Sequence, residues 1–241
     1  MNDDLQAFGL HWRVGRNWGV AHPEETCYAD VGEVTVSSDR VRLGIALKPQ
    51  TFHDRTYPWA IGYISSLESF KYGIFDFVYQ LPLGMRLWPA IWLCDRSEWP
   101  PEIDIMEAWS GRSWLSRHIR RDYAGLPLMS WMHPGIFHGT NADRRNTAGG
   151  WFNGRYTPSL FIDERGVNYC RLLWAPDRVE VYYNGRLIWR CIDGTAMADL
   201  RKSSGMEVHL QNCVQSSFTY DDYASLVRRD FSILDFNYKQ I

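Results

Sequence analysis

The chain has 241 residues, and 45% of them are hydrophobic, so it is long and apolar enough to bury a sizeable core. A formal net charge of −2 excludes the strongly basic balance that is typical of general nucleic-acid binding proteins. No apolar run approaches the ~20 residues of a membrane-spanning helix, and the N-terminus has no signal-like region. We therefore expect neither a nucleic-acid nor a membrane partner, and the absence of a linker predicts a single domain over residues 1–241.

Short segments in which apolar and polar residues alternate predict an all-β chain. Trp12 and Trp18 lie among glycine and asparagine residues, which predicts a loop along an edge. The predicted strands of the first half are 33–36, 41–47, 61–66, 72–80 and 88–93. Those of the second half are 167–174, 178–183, 205–213 and 231–238.

The connections between these strands carry turn signals. Asn184-Gly185 is typical of a type I′ hairpin turn. Segments 199–202 and 222–227 suit short helices or turns. The stretch 111–159 is predicted to be mostly irregular, although residues 128–133 within it could form a strand. The five cysteines are widely spaced and form no CxxC pair, which favours small core side chains over a zinc site or a dense disulfide framework.

Residues 100–109, PPEIDIMEAW, carry three carboxylates interleaved with large apolar side chains. Alternation from Glu102 to Ile105 predicts a strand whose carboxylates face a wet cleft and whose isoleucines face the core. Strict alternation would send Glu107 into the core, where an unpaired acid is costly. We therefore predict a one-residue β-bulge near Ile105-Met106 that returns Glu107 to the cleft face.

The spacing of the two glutamates bears on the chemistry. With the bulge, Glu102 and Glu107 lie roughly 13 Å apart along the strand, and their side chains can lean toward each other. The remaining gap is near the ~5–5.5 Å carboxyl separation of retaining glycosidases and below the ~6.5–9.5 Å of inverting ones. Alternatively, these acids together with Asp104 could bind Ca²⁺ or form a solvated strand face.

The sequence EIDIME resembles the catalytic signature of the family-16 glycoside hydrolases, in the longer form of the laminarinase, agarase and carrageenase branches. Segments 72–73 and 88–92 also resemble that family. The resemblance implies a β-jelly-roll sandwich of two curved antiparallel sheets, of the concanavalin-like type, and secretion from the cell. It makes Glu102 the nucleophile, Glu107 the acid/base and Asp104 the residue that tunes Glu102. No cofactor or catalytic metal is predicted to be required, and a structural calcium ion stays an open alternative.

Tryptophans near the motif are candidate sugar platforms, because aromatic rings stack on the apolar faces of sugars. Trp109 is the first candidate, since the predicted bulge places it on the same face of the strand as Glu107. The other candidates are Trp88, Trp99, Trp114, Trp131 and Trp151. The resemblance adds His133 and Asn212 as substrate-binding residues, although each of these side chains could instead be structural.

The sequence thus predicts a monomeric, retaining endo-β-glycosidase whose partner is a β-linked polysaccharide. A neutral β-1,3-glucan of the laminarin type is the first candidate substrate. An anionic galactan such as agar, porphyran or carrageenan is the second, because guanidinium groups suit sulfate and carboxylate and residues 111–155 hold seven arginines and no lysine. These are Arg112, Arg117, Arg120, Arg121, Arg144, Arg145 and Arg155. The alternative is a non-catalytic jelly-roll carbohydrate-binding protein, which needs an aromatic cleft but not two facing glutamates.

Overall fold

The computed structural model describes residues 5–16, 19–21, 26–110, 129–140, 143–148, 162–163 and 165–241. Numbered along the chain, the strands are β1 (Leu5–Ala7), β2 (Leu10–Val14), β3 (Cys27–Ala29), β4 (Val34–Val36), β5 (Val41–Leu43), β6 (Ile45–Phe52), β7 (Arg55–Ile61), β8 (Tyr63–Ser66), β9 (Gly73–Gln80), β10 (Leu87–Asp95), β11 (Glu102–Ser110), β12 (Met129–Gly139), β13 (Arg144–Ala148), β14 (Asn168–Ala175), β15 (Arg178–Tyr183), β16 (Arg186–Cys191), β17 (Met206–Val214) and β18 (Phe231–Lys239). The described helices are α1 (Gly194–Lys202) and α2 (Tyr220–Ala224), with a 3-10 turn over Val31–Glu33.

The strands pair into three sheets. An eight-stranded sheet has the order β1-β2-β8-β17-β10-β11-β12-β13, and a seven-stranded sheet has the order β16-β15-β14-β9-β18-β5-β4. Both are antiparallel, which confirms the predicted jelly-roll sandwich. A third sheet, β3-β7-β6, was not predicted, and its β3 runs parallel to β7.

The core lies between the two large sheets and sets the phase of their strands. On β9, Phe75, Phe77 and Tyr79 are fully buried, whereas the residues between them are half-buried. On β11, Ile103 and Ile105 are also fully buried. Burying a large apolar side chain stabilises the fold by about 1.5–3 kcal/mol, so this alternation decides which face each strand turns away from the core. All five cysteines are buried, as predicted.

The N-terminal segment differs from its prediction as a loop. It forms the hairpin of β1 and β2 at one end of the eight-stranded sheet. Trp12 is fully buried in the core, and its indole N–H donates to the carbonyl oxygen of Ala7 at 3.0 Å. Glycine and asparagine around it suggested a loop, but the burial of one large ring anchors a strand here. Trp18 lies outside the described residues.

The predicted turn and helices are present with adjusted bounds. Asn184 and Gly185, with φ of 47° and 79°, join β15 to β16 in the left-handed conformation that a type I′ turn needs. Helix α1 begins earlier than predicted because the Asp193 side chain accepts hydrogen bonds from the N–H groups of Thr195 and Ala196. Within the described ranges, no helix is long and apolar enough to cross a membrane.

Candidate active site

Strand β11 contains the β-bulge that the chemistry of its acids predicted. On the side of β10, the register shifts between Ile91 and Trp92, so Ile105 has no partner there. On the side of β12, Ile105 and Met106 together lie opposite the single residue Pro134. The predicted bulge at Ile105-Met106 is therefore confirmed.

The three acids of β11 share the face that is turned away from the core. Ile103 and Ile105 point into the core with 0% exposure. Glu102 and Glu107 remain half-buried, whereas Asp104 is buried at 2% exposure. Two half-buried glutamates therefore flank a buried aspartate.

Two indole N–H groups hold the glutamates. Nε1 of Trp99 donates to Oε2 of Glu102 at 2.9 Å. Nε1 of Trp88 donates to Oε1 of Glu107 at 3.1 Å, and the Trp88 ring stacks on Trp109 with centroids 5.7 Å apart. These neutral donors restrict the rotamer of each carboxylate without neutralising its charge.

Burial and repulsion disfavour charge on two of the acids. Burial, followed by the negative charge of Glu107, raises the pKa of Glu102 to about 7, although hydrogen bonds from Trp99 and Asp104 oppose the increase. Burial, followed by the charges of Glu107 and Glu102, raises the pKa of Asp104 well above its usual range. We therefore place the shared proton on Asp104, which donates it in a hydrogen bond to Glu102.

A cation next to these acids was missed by the sequence analysis. Arg16, which follows β2, lies over the rings of Tyr63 and Trp92, with Cζ 5.1 and 5.9 Å from their centroids. Its Nε donates to the Tyr63 hydroxyl at 2.9 Å. Because Trp92 pairs with Asp104, the positive charge lies close to the acids and favours the ionised form of Glu102. Nothing in the turn-like sequence around Arg16 marks it as a site residue.

A neutral histidine completes the neighbourhood of Arg16. His209 stacks on Trp92 with ring centroids 4.1 Å apart, and its Nδ1 is 2.9 Å from the Tyr63 hydroxyl. Burial and the charge of Arg16 lower the pKa of His209 well below its usual range. His209 is therefore uncharged, and Arg16 and Arg13 supply the positive charge that acts on it.

The predicted sugar-binding tryptophans are placed differently from one another. Trp88 and Trp99 are half-buried and contact the glutamates directly. Trp109, the first candidate, is only 8% exposed and packs against Trp88, so it presents little surface to a ligand. Trp88 and Trp99 are therefore better placed than Trp109 as candidates for sugar binding.

Two further candidates lie on β12. In the backbone register, Trp131 is opposite Trp109 and His133 is opposite Glu107. Residues that pair directly across a ladder occupy the same side of a sheet, so this placement agrees with a role in the cleft. The side chains of Trp131 and His133 lie outside the described structure, as do Trp114 and Trp151 entirely.

The prediction that Asn212 binds substrate is wrong. Asn212 is fully buried, and its Nδ2 donates to the carbonyl oxygens of Leu43 at 2.7 Å and Arg229 at 2.8 Å. Both donors of its amide are thus used to tie β17 to β5 and to the segment before β18. Every residue of β17 is buried, so alternation could not indicate which side faces the cleft.

The arginine-rich stretch is described only in part. Arg145 on β13 is exposed and pairs with Asp143 at 3.0 Å. The neighbouring Arg144 is described only in its backbone, and the other arginines of the set lie outside the described residues. Over the ranges the structure describes, no group of three or more His, Cys, Asp or Glu side chains is arranged to hold a metal ion.

Comparison with known proteins gives one short sequence match. No protein-family model matches the chain. A galactan endo-β-1,3-galactanase of Flammulina velutipes is 33% identical over 66 residues, which is 27% of this chain and 26% of that protein. The match therefore spans about a quarter of the curated relative's length.

Solved structures are similar over nearly the whole chain. The laminarinase catalytic domain of Thermotoga maritima has a TM-score of 0.67 at 17% identity, with 100% of this chain and 95% of that one covered. Porphyranase B of Zobellia galactanivorans has a TM-score of 0.70 at 11% identity, covering 95% and 85%. A non-specific endo-β-1,3(4)-glucanase from family GH16 has a TM-score of 0.64 at 17% identity, covering 95% and 84%. The chain thus has the fold of the family-16 glycoside hydrolases, as the resemblance of its motif predicted.

Proposed function

We propose that the protein is a retaining endo-β-glycosidase of family 16 that hydrolyses a β-linked polysaccharide. One observation carries the proposal: Glu102 and Glu107 occupy the same face of one bulged strand, and a separate indole N–H holds each of them. The shared fold of laminarinases and a porphyranase supports it. A solvated strand face would need neither the bulge nor the paired indole donors.

The proposed reaction is a double displacement. Glu107 protonates the glycosidic oxygen of the leaving group while Glu102 attacks the anomeric carbon and forms a covalent glycosyl-enzyme. Glu107 then removes a proton from water, the water attacks the same carbon, and the bond to Glu102 breaks. Two inversions give net retention of the anomeric configuration.

Charge repulsion couples the protonation of the two glutamates in this reaction. The nucleophile must be ionised when the acid is protonated. The negative charge of Glu107 is one cause of the raised pKa of Glu102, so protonation of Glu107 removes that repulsion and favours the Glu102 carboxylate. The protonated Asp104 and the nearby Arg16 stabilise the same carboxylate.

For the substrate, we infer a β-1,3-linked glycan first. The galactanase match and the similar glucanase both carry β-1,3 in their names, the former on galactan and the latter on glucan. An anionic galactan is the second candidate, supported by the porphyranase fold and by the arginines of residues 111–155. The salt dependence of KM distinguishes the two candidate substrates. Exposed charge pairs are screened within roughly 8–10 Å near physiological ionic strength, so KM should rise with salt concentration only for the anionic substrate.

The test is a reducing-sugar assay on laminarin, β-1,3-galactan and porphyran with the wild type, Glu102→Gln and Glu98→Gln. Glu98 is an exposed acid of the segment between β10 and β11 and serves as the matched control. We expect release by the wild type and by Glu98→Gln, and a loss of orders of magnitude in Glu102→Gln. Proton NMR of the first product should show the β-anomer. An initial α-anomer would exclude double displacement, and binding without release on every glycan would make the protein a lectin.

A further inference from the structure

We propose that Tyr183 is a positioning residue that holds the β-bulge of β11 and thereby keeps Glu107 in phase with Glu102. Its effect on turnover rests on the proposed function, whereas its effect on the backbone does not. Tyr183 lies at the end of β15 in the opposite sheet, so the contact joins the two layers of the sandwich.

The bulge interrupts the pairing of β11 at Ile105. Ile105 is fully buried and has no paired residue on β10. On β12 the residue opposite the bulge is Pro134, and proline has no N–H to donate. A buried carbonyl without a donor is destabilising, so a donor from outside the ladder stabilises the backbone at Ile105.

Tyr183 supplies that donor from across the core. Its hydroxyl donates to the carbonyl oxygen of Ile105 at 2.7 Å, and its side chain is fully buried. Burial raises the pKa of Tyr183 well above its usual value, so the hydroxyl keeps the proton it donates. Tyr183 is itself held by pairing with Cys170 on one side and Arg186 on the other.

This hydrogen bond acts on Glu107 through the geometry of the strand. The bulge at Ile105-Met106 is what places Glu107 on the cleft face, because a strand without the extra residue would turn it toward the core. Loosening the bulge displaces the Glu107 carboxyl relative to Glu102 and to the indole of Trp88. Displacements of about 1 Å at a reacting group can lower turnover by about 10²-fold.

The chain offers a matched control in Tyr79. This residue of β9 is also fully buried in the core, but among the described residues its hydroxyl has no hydrogen-bond partner. Tyr79→Phe and Tyr183→Phe therefore remove the same oxygen atom from the same core. Only the second variant removes a hydrogen bond to the bulge.

The experiment compares kcat, KM and Tm of the wild type, Tyr183→Phe and Tyr79→Phe. For Tyr183→Phe we expect kcat to fall about tenfold or more with KM within about twofold, and Tm to fall by about 3–10 °C. Tyr79→Phe should match the wild type in kcat and in KM, with an equal or higher Tm. Equal kcat and Tm in the two variants would overturn the inference.

A second measurement separates this inference from the proposed function. Amide hydrogen exchange at residues 105–107 reports the bulge directly and needs no substrate. Faster exchange there in Tyr183→Phe than in Tyr79→Phe supports the role of Tyr183 even if the wild type hydrolyses none of the glycans. Hydrolysis by the wild type with identical exchange and kcat in both variants would leave the proposed function standing and reject the role of Tyr183.

Discussion

Replacing Asp104 by asparagine should make the stability of the protein less dependent on pH. Asp104 is buried at 2% exposure, and burial and the charges of Glu107 and Glu102 raise its pKa well above the unfolded value of 3.8. Above about pH 4 the folded protein therefore holds a proton that the unfolded chain releases. The contribution of Asp104 to the free energy of unfolding is therefore fully present below that pH and is lost as pH rises toward the folded-state pKa.

The magnitude follows from proton linkage. Each pH unit between the unfolded and folded pKa values removes about 1.4 kcal/mol from the free energy of unfolding. Over the pH range between those two pKa values, the wild type should therefore lose about that amount per pH unit relative to Asp104→Asn, whose amide does not titrate and can still donate to Glu102. For a protein of this size, each kcal/mol of that loss corresponds to a fall of about 2–4 °C in Tm.

The assay is urea unfolding at pH 4, 5 and 6, with Asp95→Asn as the control. Asp95 on the neighbouring strand is also buried, but hydrogen bonds from Ser203 and Ser97 outweigh the effect of burial and lower its pKa. Its contribution to stability is lost only below about pH 4, so the effect of Asp95→Asn should be constant over this range. If the difference between the wild type and Asp104→Asn is also constant, Asp104 is ionised in the folded protein and our assignment of the proton is refuted.

Three further substitutions test the neighbourhood of the site. Trp99→Phe removes the donor 2.9 Å from Glu102, so kcat should fall by about tenfold; an unchanged kcat would show that this hydrogen bond does not orient Glu102 for the proposed reaction. Arg16→Gln removes a positive charge that favours ionised Glu102, so the acidic limb of the kcat/KM profile should move up by about half a pH unit, while Arg16→Lys keeps it in place. Asn212→Ala should lower the free energy of unfolding by about 2–3 kcal/mol without changing KM, because two carbonyl oxygens lose their donor. A raised KM with unchanged stability would restore Asn212 as a sugar contact.

The amino-acid sequence alone was enough to predict the bulged strand and its two glutamates. Glu102 and Glu107 lie within one strand, so their relative phase depends on local alternation and on the cost of burying Glu107. Strands β14 and β15 and the turn at Asn184-Gly185 were predicted for the same reason, because period-two alternation and turn chemistry are properties of neighbouring residues.

Only the tertiary structure showed which distant residues meet at that strand. Arg16 reaches the acids across β8, β17 and β10, and Tyr183 contacts Ile105 from the other sheet, 78 positions away. Asn212 was wrongly assigned to the cleft. Every residue of β17 is buried, so the alternation of apolar and polar residues does not show which face of this strand is turned toward the cleft. Strand pairing and packing between sheets bring together segments that are far apart in the chain. A local sequence pattern does not predict which distant residue a given side chain will contact.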